Sequence, residues 1–132
     1  EVAQTKIQQG WQVVLLGVKK DELIGQAIET HCLEKVKNLI GLTNLLEAVD
    51  IIALSSHIIC NDSGIMHIAA ALNRPLTAIY GSSSPKFTPP LSDKANIISL
   101  NLPCSPCFKR ECRFGHTNCL NLIRPNQVLA SF

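Results

Sequence analysis

Short apolar runs alternate with helical patterns along the chain. The first run, residues 12–16, is almost continuously apolar and is closed by Gly17, a pattern typical of a strand buried on both faces of a parallel sheet. Four more short runs follow it, and they predict strands at residues 36–40, 57–60, 76–80 and 96–100.

Helical patterns lie between these runs. The predicted helices cover residues 1–9, 21–33, 44–55 and 65–72, with a last one opening near Pro125. Gly10 is placed to end the first helix in the left-handed conformation, and Asn44 with Glu47 has the spacing of a capping box. The second helix carries an apolar stripe of Leu23, Ile24, Ala27 and Ile28. This order predicts a Rossmann-like α/β fold, a parallel sheet with right-handed crossovers and helices on both faces.

Composition narrows the class of protein. The chain has 132 residues, 46% of them hydrophobic, which is enough for one compact domain with a core. Twelve basic and ten acidic residues give a net charge of +2, without a long basic run, so nucleic acid is not an expected partner. No apolar stretch approaches the roughly 20 residues of a transmembrane helix, and we expect a soluble protein. Glu at position 1 and an uncapped helical pattern at the end predict a piece of a longer chain.

The segment from 57 to 72 is the best candidate for chemistry. Here a strand delivers Asp62, Ser63 and Gly64 onto the first turn of a helix, where free N–H groups and the helix dipole favour an anion such as a diphosphate. Asp62 or Ser63 capping the helix is the structural alternative. His67, one turn later, is either a ligand contact or an imidazole satisfied by its neighbours. The glycine-rich dinucleotide fingerprint is absent, which argues against an NAD-type dehydrogenase.

This segment also carries a resemblance. Residues 61–75, together with 78–81 and 87–92, resemble the heptosyltransferases of glycosyltransferase family 9, in which D-[ST]-G-x-x-H-x-x-A-A is characteristic. The resemblance covers nearly the whole chain and implies the donor-binding, C-terminal half of a GT-B enzyme, which has two Rossmann-like domains facing a cleft. It implies inverting transfer of heptose from ADP-heptose to the lipopolysaccharide inner core, without a cofactor for catalysis.

The resemblance also implies roles for single residues. Asp62, Ser63 and Gly64 would line the donor site around the diphosphate and heptose, with His67 just behind. Asp21 matches an acidic position that meets the nucleotide-sugar, and the backbone at Thr43 would lie beside the adenine. A loop over residues 81–85 would close the site, although Ser82 stands where relatives often have proline. The acceptor site and the catalytic base would belong to an N-terminal domain that this chain lacks. The resemblance further implies a cytoplasmic enzyme, with peripheral attachment at the inner face of the inner membrane as an option.

A cysteine-rich loop over residues 103–119 is a second candidate site. Four thiols stand in the order Cys104, Cys107, Cys112 and Cys119, and four soft ligands close together suit a structural zinc ion. Disulfides and reduced thiols are the alternatives. Cys32 and Cys60 are expected to be small core residues. Two further functions stay open from the sequence: a GT-B enzyme with another nucleotide-sugar, and a noncatalytic module built on the cysteine loop.

Overall fold

A computed structural model describes all residues from 1 to 132. The chain separates into two compact units, Glu1–Asp50 and Ile51–Phe132, and each is described by itself. All five predicted strands form, and every strand pair is parallel. The predicted class, parallel sheet with intervening helices, is therefore confirmed.

The first unit is built on a two-stranded sheet. Its elements are α1 (Val2–Gln8), β1 (Val13–Leu15), a 3-10 turn (Lys19–Asp21), α2 (Glu22–His31), β2 (Val36–Asn38) and the start of α3 (Leu45–Leu54). β1 pairs with β2, and the pairing continues beyond the strands because the Gly41 N–H donates to the Gly17 carbonyl at 3.0 Å. The segments after the two strands therefore leave the same edge of this sheet.

Local signals in the first unit act as predicted. Gly10 has a φ of +85°, so it takes the left-handed conformation after α1. The capping box before α3 is complete: the Asn44 side chain accepts the Glu47 N–H at 3.0 Å, and the Glu47 carboxylate accepts the Asn44 N–H at 2.8 Å.

Burial in the first unit is less complete than the pattern predicted. β1 is only half-buried along its length, because it has one neighbouring strand. In the apolar stripe of α2, Leu23 is 79% and Ile24 is 63% exposed, and the residue that α2 buries fully is Gly25. A Cβ on Gly25 would lie 2.6 Å from the Ile40 side chain, so the absence of a side chain sets how closely α2 approaches. The periodicity identified a helix but not its buried face.

The second unit is built on a three-stranded sheet in the order β3-β4-β5. Its elements are β3 (Ile58–Asn61), α4 (Gly64–Ala71), β4 (Leu76–Tyr80), β5 (Ala95–Ser99), α5 (Asn118–Asn121) and α6 (Pro125–Leu129). Asn61 is in register with Ile79, and Tyr80 with Ser99. Because the strands are parallel, their carboxyl ends meet at one edge, called here the carboxyl edge.

The central strand β4 forms the core of the second unit. Leu76, Thr77, Ala78 and Tyr80 are all fully buried. Ala69 and Ala70 of α4 are buried as predicted for a helix that packs closely on a sheet, whereas Ala71 is exposed. The buried Thr77 hydroxyl is satisfied by His57 Nε2 at 2.9 Å and by the Ser131 hydroxyl at 2.5 Å, so its burial leaves no polar atom without a partner.

The cysteine-rich loop is followed by a helical turn that the sequence pattern did not predict. α5 begins at Asn118, where residues up to 119 were expected to be loop. Leu120 of α5 packs against Gly81, and a Cβ on Gly81 would lie 2.8 Å from the Leu120 side chain. Glycine at position 81 thus lets α5 approach the end of β4.

Candidate functional site

Asp62 lies at the carboxyl end of β3, as the sequence predicted. Its N–H donates to the Ile79 carbonyl at 3.3 Å, which extends the ladder between β3 and β4 by one residue. Its carboxylate projects beyond the sheet and accepts a hydrogen bond from the Thr88 hydroxyl at 2.9 Å. Asp62 is half-buried, so the carboxylate remains open to a ligand on its other side.

The structural alternative, in which Asp62 or Ser63 caps α4, is wrong. Ser63 is the residue at the N-cap position, and its side chain makes no capping hydrogen bond. The carboxylate of Asp62 is directed to Thr88 instead. The Met66 N–H donates to the Ser63 carbonyl at 3.1 Å, whereas the N–H groups of Gly64 and Ile65 are not satisfied by either side chain and are available to another acceptor.

Space at the start of α4 also fits a ligand. Gly64 is exposed, and a Cβ at this position would meet no atom within 4 Å. Ser63 beside it is exposed and extended, with φ −156° and ψ 173°. His67 is exposed one turn further along α4. The open main chain at Gly64 and the positive end of the α4 dipole suit an anion.

Two residues that the sequence did not single out fix this site. Tyr80 is fully buried, and its hydroxyl donates to the Thr88 carbonyl at 2.5 Å and lies 3.2 Å from the Met66 sulfur. Thr88, held in this way by its carbonyl, presents its hydroxyl to Asp62. A buried tyrosine at the end of a central strand needs a partner for its hydroxyl. The position of Tyr80 at the end of a predicted strand could therefore have indicated a contact with a following loop.

The Asp62 carboxylate also affects its neighbours electrostatically. Burial, and then the negative charge of Asp62, raise the pKa of Cys60 to about 11 and that of Tyr80 to about 12. Both groups are therefore neutral at physiological pH. The Cys60 thiol is half-buried in β3, partly confirming its expected place in the core, and Cys32 is 6% exposed as predicted.

The remaining predicted site residues belong to the first unit. Asp21 ends the 3-10 turn after β1, and its carboxylate accepts the Val18 N–H at 3.2 Å. Thr43 follows β2 and is half-buried just before the capping box of α3. Both residues lie in the segments that leave the same edge of the two-stranded sheet. Asp21 has a structural role in its own turn, which the sequence analysis did not foresee.

The four cysteines of the loop line one cavity of about 100 Å³. Every cysteine of the chain is free. Backbone N–H groups, of Thr117 first and Phe114 next, lower the pKa of Cys112 by donating to its sulfur. His116 lines the same cavity, but its Nδ1 accepts the Asn118 N–H at 3.0 Å. No three His, Cys, Asp or Glu side chains are placed to share a metal ion as they stand.

Comparison with known proteins gives the family. Residues 1–118 match glycosyltransferase family 9, the heptosyltransferases. The chain belongs to glycosyltransferase family 9. Lipooligosaccharide heptosyltransferase 2 of Haemophilus influenzae is 53% identical over an alignment that covers 76% of this chain and 30% of that protein. Lipopolysaccharide heptosyltransferase 2 of Escherichia coli is 46% identical, with 98% of this chain and 38% of that protein covered.

Solved structures of family 9 agree with this assignment. The structure of Escherichia coli ADP-heptose lps heptosyltransferase II matches 98% of this chain and 38% of its own, with a TM-score of 0.83 and 44% identity. A family 9 glycosyl transferase from Veillonella parvula has a TM-score of 0.82 over 98% of this chain and 38% of its own, and at 23% identity it supports the fold alone.

The family 9 relatives are considerably longer than this chain. The chain spans between 30% and 38% of the length of the two heptosyltransferase 2 relatives above. None of its helices is both long and apolar enough to cross a bilayer.

Proposed function

We propose that the full-length protein transfers heptose from ADP-heptose to the inner core of lipopolysaccharide, and that this chain is part of its C-terminal, donor-binding domain. The observation that carries the proposal is the arrangement at the carboxyl edge, where Asp62 stands beside the open first turn of α4 at Gly64. Membership of family 9 and the heptosyltransferase 2 relatives support the choice of donor and acceptor.

In this proposal the first turn of α4 faces the diphosphate. The bond between the anomeric carbon and the diphosphate oxygen breaks, and ADP leaves with the electron pair of that bond. Negative charge grows on the leaving oxygen as it departs, and the N–H groups at Ser63 and Gly64, with the dipole of α4, stabilise that charge. Gly64 is exposed at the first turn of α4, so the main chain there is accessible to the diphosphate before the reaction.

Asp62 has a different part in the same step. The sugar becomes oxocarbenium-like as the bond breaks, and a fixed carboxylate beside it can hold sugar hydroxyls and favour the positive charge. The Thr88 hydroxyl orients this carboxylate. The acceptor hydroxyl attacks the opposite face of the anomeric carbon, which inverts its configuration, and loses its proton to a base outside this chain. Asp62 is thus a positioning group for the donor and not a nucleophile.

Further donor contacts are proposed within each unit, on the family resemblance. Asp21 contacts the nucleotide-sugar, the backbone at Thr43 lies beside the adenine, and His67 stands behind the diphosphate. Support for Asp21 and Thr43 comes from their position after parallel strands, where ligands bind in open α/β sheets. Support for His67 comes from its exposure one turn into α4.

The acceptor is proposed to bind to an N-terminal domain outside this chain. The enzyme would work in the cytoplasm, with peripheral attachment at the inner face of the inner membrane as an option. Catalysis is proposed to need no cofactor, because the N–H groups and the dipole at the start of α4 would stabilise the charge of the leaving diphosphate. A noncatalytic module is not favoured by the relatives, which are named as heptosyltransferases.

A structural zinc ion in the cysteine-rich loop is a separate proposal. Four thiols around one cavity support it, as do the backbone N–H groups that stabilise the Cys112 thiolate. The sulfurs do not form a ligand group as they stand, so binding would require the loop to contract around the ion. His116 is a poor fourth ligand because its Nδ1 already accepts a backbone N–H.

A transfer assay with the full-length protein tests the proposed function. ADP-heptose and an acceptor that lacks the heptose should give ADP and a heptosylated product, whereas other nucleotide-sugars should give neither. The isolated chain of 132 residues should give no product, because the acceptor site and base must come from a facing domain. Efficient transfer from another nucleotide-sugar would replace the donor assignment, and heptose transfer by the isolated chain would overturn the division of roles between domains.

A further inference from the structure

The cavity in the cysteine-rich loop is strongly basic. Lys109, Arg110 and Arg113 line it together with the four cysteines, and no carboxylate does. Glu111 is the only acidic residue between positions 103 and 119, and it lies outside the cavity lining. The Arg113 guanidinium lies 4.7 Å from the centroid of the Phe114 ring, a contact that orients the group without neutralising it. The lining of the cavity therefore carries three cations and no acid.

The basic cavity is attached to the end of β4. The Ser82 carbonyl accepts the N–H of Cys107 at 3.0 Å and that of Phe108 at 2.7 Å, and the Ser105 hydroxyl donates to the Gly81 carbonyl. Ser82 itself lines the cavity. These bonds fix the loop at the carboxyl edge of the three-stranded sheet, because Gly81 and Ser82 directly follow β4.

The same edge carries Asp62. Phe108 packs edge-to-face on Phe87, with 5.3 Å between the ring centroids, and the next residue, Thr88, donates its hydroxyl to Asp62. A short series of contacts thus joins the basic loop to the candidate donor site. The carboxylate of Asp62 and the basic loop therefore belong to the same edge of the sheet, connected through residues 87 and 88.

We propose that Lys109 and Arg113, beside the thiols proposed for zinc and not in their place, bind an oxyanion, a phosphate or carboxylate, of a substrate held at the carboxyl edge. Arginine and lysine side chains bind such groups through charge-assisted hydrogen bonds, which are stronger than those between neutral groups. An adjoining cavity of about 390 Å³ is also lined by Lys109 and Arg113, so the two side chains reach a space larger than one ion requires. Which substrate supplies the oxyanion rests on the proposed function.

Binding of inorganic phosphate to the full-length protein gives the first test. Lys109→Gln and Arg113→Gln should each raise the dissociation constant for phosphate by about tenfold, because each removes one charge-assisted contact. Lys94→Gln is the matched control, since Lys94 precedes β5 at the opposite edge and is exposed. It removes one charge and should leave phosphate affinity unchanged. Equal phosphate affinity in all three variants and the parent overturns the proposal.

Transfer kinetics of the same variants identify the source of the oxyanion. A raised KM for ADP-heptose assigns the cavity to the donor diphosphate, and a raised KM for the acceptor assigns it to an acidic group of the acceptor. If phosphate binding weakens while both KM values stay at the parental level, the cavity holds an adventitious ion only and the proposal fails. A parent enzyme that binds phosphate at this cavity but transfers no heptose would refute the proposed function and leave the anion site standing.

Discussion

Replacing Asp62 by Asn in the full-length enzyme separates the proposed donor role of this residue from its structural role. The substitution removes the negative charge and keeps an oxygen that can accept the Thr88 hydroxyl, now at 2.9 Å from the carboxylate. Asn has nearly the same size as Asp, and the half-buried position leaves room for it. The change is therefore mainly electrostatic.

The structure sets the expected magnitudes. Loss of a helix cap would cost about 1 kcal/mol of stability, but Asp62 does not cap α4, since Ser63 is at the N-cap and the carboxylate bonds Thr88. We therefore expect the free energy of unfolding to change by less than about 1 kcal/mol, the net value of one ordinary hydrogen bond. Turnover should fall by roughly a hundredfold, because an interaction strengthened in the transition state is lost.

Steady-state kinetics with ADP-heptose and denaturant unfolding of the same preparations measure both effects. Thr88→Val is the matched control: it removes the bond to Asp62 but keeps the charge, and it should reduce turnover by less than about tenfold. Near-normal transfer by Asp62→Asn would show that the charge is not used, and the assignment of the donor site to this position would be wrong.

Two further predictions concern stability and metal content. Burial, then the charge of Asp62, hold the pKa of Cys60 at about 11 and of Tyr80 at about 12, above the ordinary 9.0 and 10.0. The unfolded chain thus loses these protons first, so the free energy of unfolding is full below pH 9.0 and falls as pH rises toward 12. The fall is at most about 1.4 kcal/mol per pH unit for each group, and solvent screening makes it smaller for both. Tyr80→Phe should flatten the fall above pH 10.0 in denaturant titrations, and an unchanged slope would contradict this. Elemental analysis under reducing conditions should find about one zinc per chain. The zinc should be lost in Cys112→Ser and kept in the control Cys32→Ser. Metal-free parent protein would remove the zinc proposal.

Much of the fold could be predicted because its signals are local. The five strands are short apolar runs with clear ends, and Gly10 and the capping box at Asn44 act within a few residues of themselves. The burial of a side chain, by contrast, is not determined by residues a few positions away. Leu23 has the same spacing as a core residue of a helix, yet it is 79% exposed, because which side of α2 is covered depends on elements distant in sequence.

The candidate site divides in the same way. The position of Asp62 after a strand and before a helix follows from the pattern around it, and the structure confirms that position. Its partner, Thr88, lies 26 residues away and is held by a buried tyrosine hydroxyl, so no spacing rule connects the two. Capping was a reasonable expectation for an Asp before a helix, and it failed because the carboxylate accepts the Thr88 hydroxyl of the neighbouring loop instead.

The parallel sheet explains why these features come together at all. Each strand of the second unit ends at the same edge, so Asp62 after β3, Ser82 after β4 and the basic loop after β5 are collected there in spite of their separation in sequence. One carboxylate then stands beside the open turn of α4, and three cations stand beside the end of β4. The bond from the Thr88 hydroxyl to Asp62 and the packing of Phe87 on Phe108 connect the two regions. Asp62→Asn should therefore affect the proposed sugar contacts alone and Arg113→Gln the proposed oxyanion contact alone, whereas a substitution that loosens residues 87 and 88 should affect both.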